Sequence, residues 1–265
     1  ISNYVNQQIS SYVEKYICLK DIYNLEILSS TIINIKPETV IIGSEKFLDL
    51  GIVDILEKNG INCIGPKKKL ADIELSKSFA RLFLTFNNLG KYNPKYDIVH
   101  NYNNYTIESL FNEYKYDFVI KDNGLCSGKG VRLYNYNNYK LGHSYISNLL
   151  KDNFTDKCLI EEKLYGKEFV LMSFCDGINI KHMPVVLDFK KIRLGSDVNT
   201  GSMGCIVQSN HSLPFLNEND ILEAGNLNYD IMHLLSKDNN YKGILYGSFM
   251  KTNKGIKLIE YNARL

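Results

Sequence analysis

The chain has 265 residues, 45% of them hydrophobic and 23% charged, which suffices for two domains or one large one with a packed core. Its 31 Lys plus Arg against 29 Asp plus Glu leave a net charge of +2; this excludes the broad basic field of a duplex-binding protein, so any basic site must be local. No apolar run reaches the about 20 residues of a membrane span, no export leader is visible, and six scattered cysteines lack metal spacing, so a cytoplasmic protein without membrane or nucleic-acid partners is expected.

Ile1 lies in a helix-like segment with no strand before it, so the natural protein is expected to begin earlier. Short strands are predicted over 16–18 and, more strongly, 39–42. In the helix that follows Gly43-Ser44-Glu45, Phe47, Leu50, Val53 and Leu56 recur at helical spacing up to a C-cap at Gly60. A strand over 62–64 ends at Gly65-Pro66, and a further helix runs to about Phe86 with Phe79, Leu82 and Phe83 on its apolar face. This order implies a parallel α/β sheet, incomplete at its N-terminal end. The polar segment 90–105 reads as a boundary. Beyond it come a helix from Thr106, two strands around a glycine loop, a helix over 139–150 and a strand over 159–163. Strands over 168–175 and 180–186 join at Asp176-Gly177, a glycine-rich loop covers 194–204, and a helix over 218–235 precedes antiparallel strands at 244–251 and 256–262. This second part is α+β. The expected divisions are 1–92, 93–167 and 168–265.

The segment VIKDNGLCSGKGV, residues 119–131, carries most of the chemical signal. It places Lys121, Gly124, Gly128, Lys129 and Gly130 between two strands. A phosphate-binding P-loop is excluded, because the glycine spacing is one residue short and a strand follows where a helix is needed. A glycine loop between strands can fold over a nucleotide as a flap whose N–H groups and lysine neutralise phosphate charge; the alternative is an ordinary hairpin turn. On the last strand Glu260, Asn262 and Arg264 alternate with Tyr261 and Ala263, so the three share a face. A carboxylate and an amide oxygen about 7 Å apart can hold magnesium or manganese together with substrate phosphates; the alternative is a solvated sheet edge. In LIEEKLYGKE, residues 159–168, a strand edge could pair with adenine while Glu168 accepts ribose hydroxyls. Lys77, after a capping Ser76, could reach a nucleotide from the opposite side. None of the five histidines stands in a nucleophilic arrangement.

Taken in order, Gly65-Pro66, the E-x-S-K-x-F stretch of residues 74–79, the glycine loop and I-E-E-x-L-x-G-x-E at 160–168 resemble the ATP-grasp superfamily. Asp188-Phe189-Lys190, Asn199-Thr200-Gly201-Ser202-Met203-Gly204, Leu245-Tyr246 and I-E-Y-N-A-R at 259–264 narrow the resemblance to the phosphoribosylamine–glycine ligase family. The resemblance implies an N-terminal domain followed by an ATP-grasp fold with a small glycine-loop subdomain and an antiparallel-sheet subdomain. It also implies a monomer that joins glycine to 5-phosphoribosylamine through a glycyl phosphate. By that resemblance Lys77 and Lys121 bind ATP phosphates, and Glu161, Glu162, Lys163 and Leu164 flank the adenine. Glu168 holds the ribose, and Glu260 and Asn262 coordinate the metal. Lys190, the 199–204 loop and Arg264 face the acceptor substrates, with Lys190 and Arg264 the candidate catalytic pair. The chain departs from the family in three ways: its first strand and a glycine-rich loop are missing before Ile1, the C-terminal domain is missing after Leu265, and Ser202 and Phe189 stand for a glycine and a histidine. The alternatives are another ATP-grasp ligase for a different acid and amine, or a truncated noncatalytic ATP-binding module.

Overall fold

The computed structural model describes residues 1–124, 130–151, 156–190, 200 and 202–265. Short polar side chains start the early helices. Asn6 and Asn24 accept N–H groups of α1 (Gln7–Tyr12) and α2 (Leu25–Ile35), which would otherwise have no partner at a helix start. Then follow β1 (Thr39–Ile41), α3 (Glu45–Leu50), α4 (Ile52–Lys58), β2 (Asn62–Ile64), α5 (Lys68–Leu75) and α6 (Lys77–Phe86). β1 and β2 pair in parallel, Val40 opposite Cys63.

Three expectations for this region need correction. The strand at 16–18 is a single bridge between Cys18 and Ser2. The helix expected through Phe47 and Leu56 is two helices, because Gly51 adopts φ +78°, a left-handed conformation that ends α3. The next one also divides, at Ser76, whose extended backbone ends α5 while its hydroxyl accepts the Phe79 N–H of α6.

Within the segment read as a boundary lies β3 (Tyr96–Val99), which pairs with a strand some sixty residues later and so could not be recognised locally. α7 (Asn104–Glu113), β4 (Phe118–Asp122), β5 (Val131–Tyr134), α8 (Lys140–Lys151) and β6 (Cys158–Glu162) complete an antiparallel sheet in the order β3-β6-β4-β5. β4 is buried along its whole length, and Ile107, Phe111, Phe118, Ile120, Ile146 and Ile160 belong to the core beneath it.

The remaining elements are β7 (Lys167–Asp176), β8 (Ile180–His182), β9 (Leu187–Asp188), β10 (Cys205–Ile206), α9 (Glu218–Asn239), β11 (Lys242–Thr252) and β12 (Gly255–Asn262). A second antiparallel sheet runs β12-β11-β7-β8. β8 is shorter than the expected 180–186, since Pro184 has no N–H to donate; pairing resumes at Val186, which exchanges two hydrogen bonds with Val170. Asn217 and Asp220 cap α9 reciprocally. The core of this sheet is continuous with that of the first ninety residues: Ile52, Leu56, Ile73 and Leu84 join Phe169, Leu171, Leu227, Phe249 and Leu258 in one cluster. Among the described residues no helix is long and apolar enough to cross a membrane.

Gly166 joins the two sheets where space is least. A Cβ there would lie 1.9 Å from the Lys251 carbonyl oxygen, so only glycine lets the connection pass. Gly166→Ala is expected to destabilise the protein by about 1–3 kcal/mol through a forced backbone shift. In urea unfolding this appears as a lower midpoint with an unchanged slope.

Candidate active site

The site is organised by a bulge in β12. Ser248 of β11 opposes Glu260 while Phe249 opposes Leu258, so Ile259 is an extra residue in the ladder. Ile256 and Leu258 before it, and Tyr261 and Ala263 after it, are buried in the core. Glu260, Asn262 and Arg264 turn together into a cleft that Glu74, Lys77, Gly124 and Gly130 also line.

The carbonyls released by the bulge are taken up by cations. Arg81 of α6 donates Nη1 to Leu258 O at 3.2 Å and Nη2 to Ile259 O at 2.7 Å. It also grips Glu161 of β6 bidentately, Nε to Oε1 at 2.7 Å and Nη2 to Oε2 at 3.1 Å, while Nη1 reaches Asn93 Oδ1 at 3.5 Å. All five guanidinium N–H groups are therefore placed. Lys121 of β4 reaches the same carboxylate at 2.7 Å and Ile259 O at 3.2 Å, leaving its third N–H without a protein acceptor among the described residues. The three side chains are 3%, 7% and 2% exposed for Arg81, Lys121 and Glu161.

Burial pushes the Glu161 carboxyl up, but the charges of Arg81 and Lys121 and their hydrogen bonds outweigh it and hold the group at about 2. Burial lowers the Lys121 ammonium from its ordinary value against the pull of Glu161.

Lys77 opens α6, its Nζ donating to Gly124 O at 3.0 Å and its backbone N–H to Asn123 O at 3.1 Å. At the far end of the cleft Glu74 accepts from Ala263 N at 2.6 Å and from Arg264 Nε at 3.2 Å, and Glu45 approaches the same Nε at 3.5 Å. Burial raises the Glu74 carboxyl to about 7, opposed by Arg264 and the Ala263 N–H and reinforced by Glu45 and Glu260. Lys190 lies between two acids, 4.0 Å from Glu168 and 4.0 Å from Glu260.

Of the residues singled out from sequence, Lys77, Gly124, Gly130, Glu260, Asn262 and Arg264 meet in the cleft. Lys121 stands behind it, on Glu161. In the stretch expected to flank adenine, the side chains are engaged within the protein: Glu161 in the ion cluster, Glu162 accepting the Lys95 N–H at 2.8 Å, and Lys163 reaching Asp117 at 3.3 Å. Glu161 pairs with Tyr96 on one side and Val119 on the other, and the Glu162 N–H donates to Lys95 O at 2.9 Å, so it is the backbone just past β6, at Lys163 and half-buried Leu164, that lies outside the ladder. Thr200, Ser202, Met203 and Gly204 are not among the residues lining the cleft. Thr200 donates to Lys190 O, Ser202 Oγ to Asp188 Oδ1 at 2.6 Å and Met203 N to Phe189 O, which builds the base of the β9–β10 hairpin. Gly128, Lys129, Asn199 and Gly201 lie outside the described residues.

Sequence reasoning missed Arg81, Glu45 and Glu74. In α6 the expected Phe79 and Phe83 pack part-buried against the core, while the fully buried residues are Ser78, Ala80, Arg81 and Leu84. An arginine on the inward side of a helix was the available signal.

The family model described as phosphoribosylglycinamide synthetase, N domain, matches residues 4–74, and that of the ATP-grasp (A) domain matches residues 75–265. The chain belongs to the phosphoribosylglycinamide synthetase family and carries its ATP-grasp fold. A phosphoribosylamine–glycine ligase of Methanocorpusculum labreanum is 38% identical over 84% of this chain and 51% of its own length. One from Methanocaldococcus jannaschii is 38% identical over 87% of this chain and 53% of its own. The chain thus spans about half the length of the curated relatives it matches. The solved phosphoribosylamine–glycine ligase of Thermotoga maritima shares the fold at 24% identity, with a TM-score of 0.71 over 89% of this chain and 57% of that one.

Arg81→Met is expected to lower stability by about 3–5 kcal/mol, because it takes the bidentate partner from a buried carboxylate, leaving only Lys121 on it, and strands the Leu258 carbonyl; denaturant unfolding measures it. Glu74 adds a pH dependence. Its folded value of about 7 exceeds the ordinary carboxylate value of 4.5, so its contribution to stability is full below about 4.5 and is lost as pH rises through about 7. Glu74→Gln should remove that share of the slope when unfolding free energy is measured from pH 4 to 8.

Proposed function

We propose that this member of the phosphoribosylglycinamide synthetase family ligates glycine to 5-phosphoribosylamine using ATP, giving glycinamide ribonucleotide, ADP and phosphate in purine synthesis. The observation that carries this reading is the convergence in one cleft of Lys77, Glu260, Asn262 and Arg264, with Lys121 behind them. It joins donors for a phosphate chain, hard oxygens for a cation and a fork for an anionic substrate.

A glycine carboxylate oxygen attacks the γ-phosphorus of ATP, the bond to the bridging oxygen breaks, and ADP leaves. The amine of phosphoribosylamine then attacks the carbonyl carbon of glycyl phosphate and expels phosphate. Neither step needs an enzyme nucleophile, so position and charge carry the rate. In this reading 1–92 forms the N-terminal part, 93–167 the small subdomain and 168–265 the larger one. Lys77 and the remaining N–H of Lys121 stabilise phosphate oxygens, and the loop with Gly124, Gly128, Lys129 and Gly130 covers them and excludes water from the acyl phosphate. Of residues 161–164, the backbone groups past β6, at Lys163 and Leu164, take the adenine, Glu168 the ribose hydroxyls, and Lys190, residues 199–204 and Arg264 the acceptors.

The donor set fits magnesium or manganese. Glu260, with Lys190 at 4.0 Å as its ion partner, and Asn262 offer oxygen ligands on one side of β12, the type such ions combine with phosphates and water. The ion, when bound, neutralises charge on the transferred phosphoryl group. The partners are the two small molecules. The five described cysteines are all free, which suits the cytoplasm.

ADP release from MgATP is expected to require both glycine and freshly generated phosphoribosylamine, and release with another acid and amine instead would move the chain to a different ligase. Glu260→Gln should reduce turnover by a factor on the order of 10² to 10³ with little change in melting temperature, because its carboxylate is part-exposed. Turnover at the wild-type rate would remove Glu260 from the site.

A further inference from the structure

We infer that Glu74, seconded by Glu45, is a positioning residue that presents the Arg264 guanidinium to an anionic group of the acceptor substrate. The inference rests on the ligase reading for the identity of that anion and on geometry for the rest.

Glu74 lies in the last turn of α5, in the part of the chain matched by the N-domain model, and its side chain is 5% exposed. Its two oxygens divide between consecutive residues at the end of the last strand: Oε2 takes the Ala263 N–H at 2.6 Å and Oε1 the Arg264 Nε–H at 3.2 Å. Glu45 Oε2 approaches the same Nε at 3.5 Å from the first turn of α3. Arg264 Nη1 donates to Leu265 O at 3.2 Å. Of five guanidinium N–H groups, Nε–H and one on Nη1 are thereby occupied. The other three have no protein acceptor among the described residues, and Arg264 lines the cleft. Arg81 makes the contrast plain, since every one of its donors is used within the protein.

A carboxylate held on Nε fixes the end of a long, flexible side chain and leaves the terminal fork for a bidentate partner. Binding then does not have to freeze the arginine, a saving in conformational entropy. Arg264 lies beyond Asn262, the last residue of β12, and is held by Glu74, whereas Glu260 faces Lys190, so the anion at Arg264 is separate from the phosphates next to the metal ligands. Two acids around one guanidinium would be an excess of negative charge for anion binding. The raised Glu74 carboxyl, partly protonated near neutral pH, relieves that excess.

The test is calorimetric titration of the full chain, without nucleotide, with glycine and separately with ribose 5-phosphate, a stable stand-in for the sugar phosphate. MgATP is titrated in a third arm. One of the two anions should bind the wild type and bind Arg264→Met at least about ten-fold more weakly. Glu74→Gln should lose about ten-fold for the same anion, Glu45→Gln less, and MgATP affinity should hold in all. If Glu74→Gln is poorly folded, Glu74→Asp replaces it, and nitrogen-15 NMR of the wild-type Arg264 Nε–H reads the carboxylate bond directly. Unchanged anion binding in the Glu74 variants, no binding of either anion, or an Nε–H signal like that of a solvated arginine would each overturn the inference. Failure of the wild type to bind MgATP, with anion binding intact, would count against the ligase reading alone.

Discussion

Glu161 is a carboxylate removed from water and shared between two cations that belong to different elements, and the site's architecture hangs on that sharing. A lone buried carboxylate would be protonated; held by Arg81 and Lys121 it stays ionised, with its titration moved down to about 2. The same cations reach on to the carbonyls of Leu258 and Ile259, so a single cluster ties α6, β4, β6 and the bulge of β12 together. The bulge leaves carbonyls that ladder pairing cannot satisfy, and the cations need acceptors that the core cannot supply; each resolves the other's deficit. Ion clusters of this kind are weak sources of net stability, because desolvation offsets much of the attraction, but they are strict about geometry. Here the geometry they fix is the direction in which Glu260, Asn262 and Arg264 face.

The cleft lies where three parts of the chain meet, and two contacts made by the first of them close it. α6 brings Lys77 against the loop after β4 through bonds to Asn123 and Gly124. The α5 terminus brings Glu74 onto the end of β12. Because the core of the first ninety residues is continuous with that under β7, β11 and β12, these two docking points are carried on one packed body. The small sheet has its own core and is tied to that body by the cluster and by the connection through Gly166.

Much of this was legible in the sequence wherever a local period or a glycine carried the information. The alternation of Glu260, Asn262 and Arg264 with buried Tyr261 and Ala263 was read correctly, although the bulge one residue earlier was invisible, since nothing in Leu258-Ile259-Glu260 differs from a regular strand. Strands β4 and β5 followed from an apolar run on each side of the glycines. β3 did not, because Tyr96-Asp97-Ile98-Val99 is short and half polar and becomes a strand through pairing with β6. Gly51 lay inside a helical pattern and was passed over, though a glycine there is a reason to look for a cap. Arg81 was hidden more deeply: its partner is eighty residues away, and a helical arginine ordinarily signals solvent.

The claim that most needs testing is that nucleotide phosphates and a divalent ion meet at the bulged strand. A crystal structure of the full chain with magnesium and a non-hydrolysable ATP analogue tests it most directly. The account predicts phosphate oxygens within hydrogen-bond distance of Lys77 and Lys121, and the ion ligated by Glu260 and Asn262. A nucleotide bound elsewhere, or an ion without a ligand from β12, would contradict it.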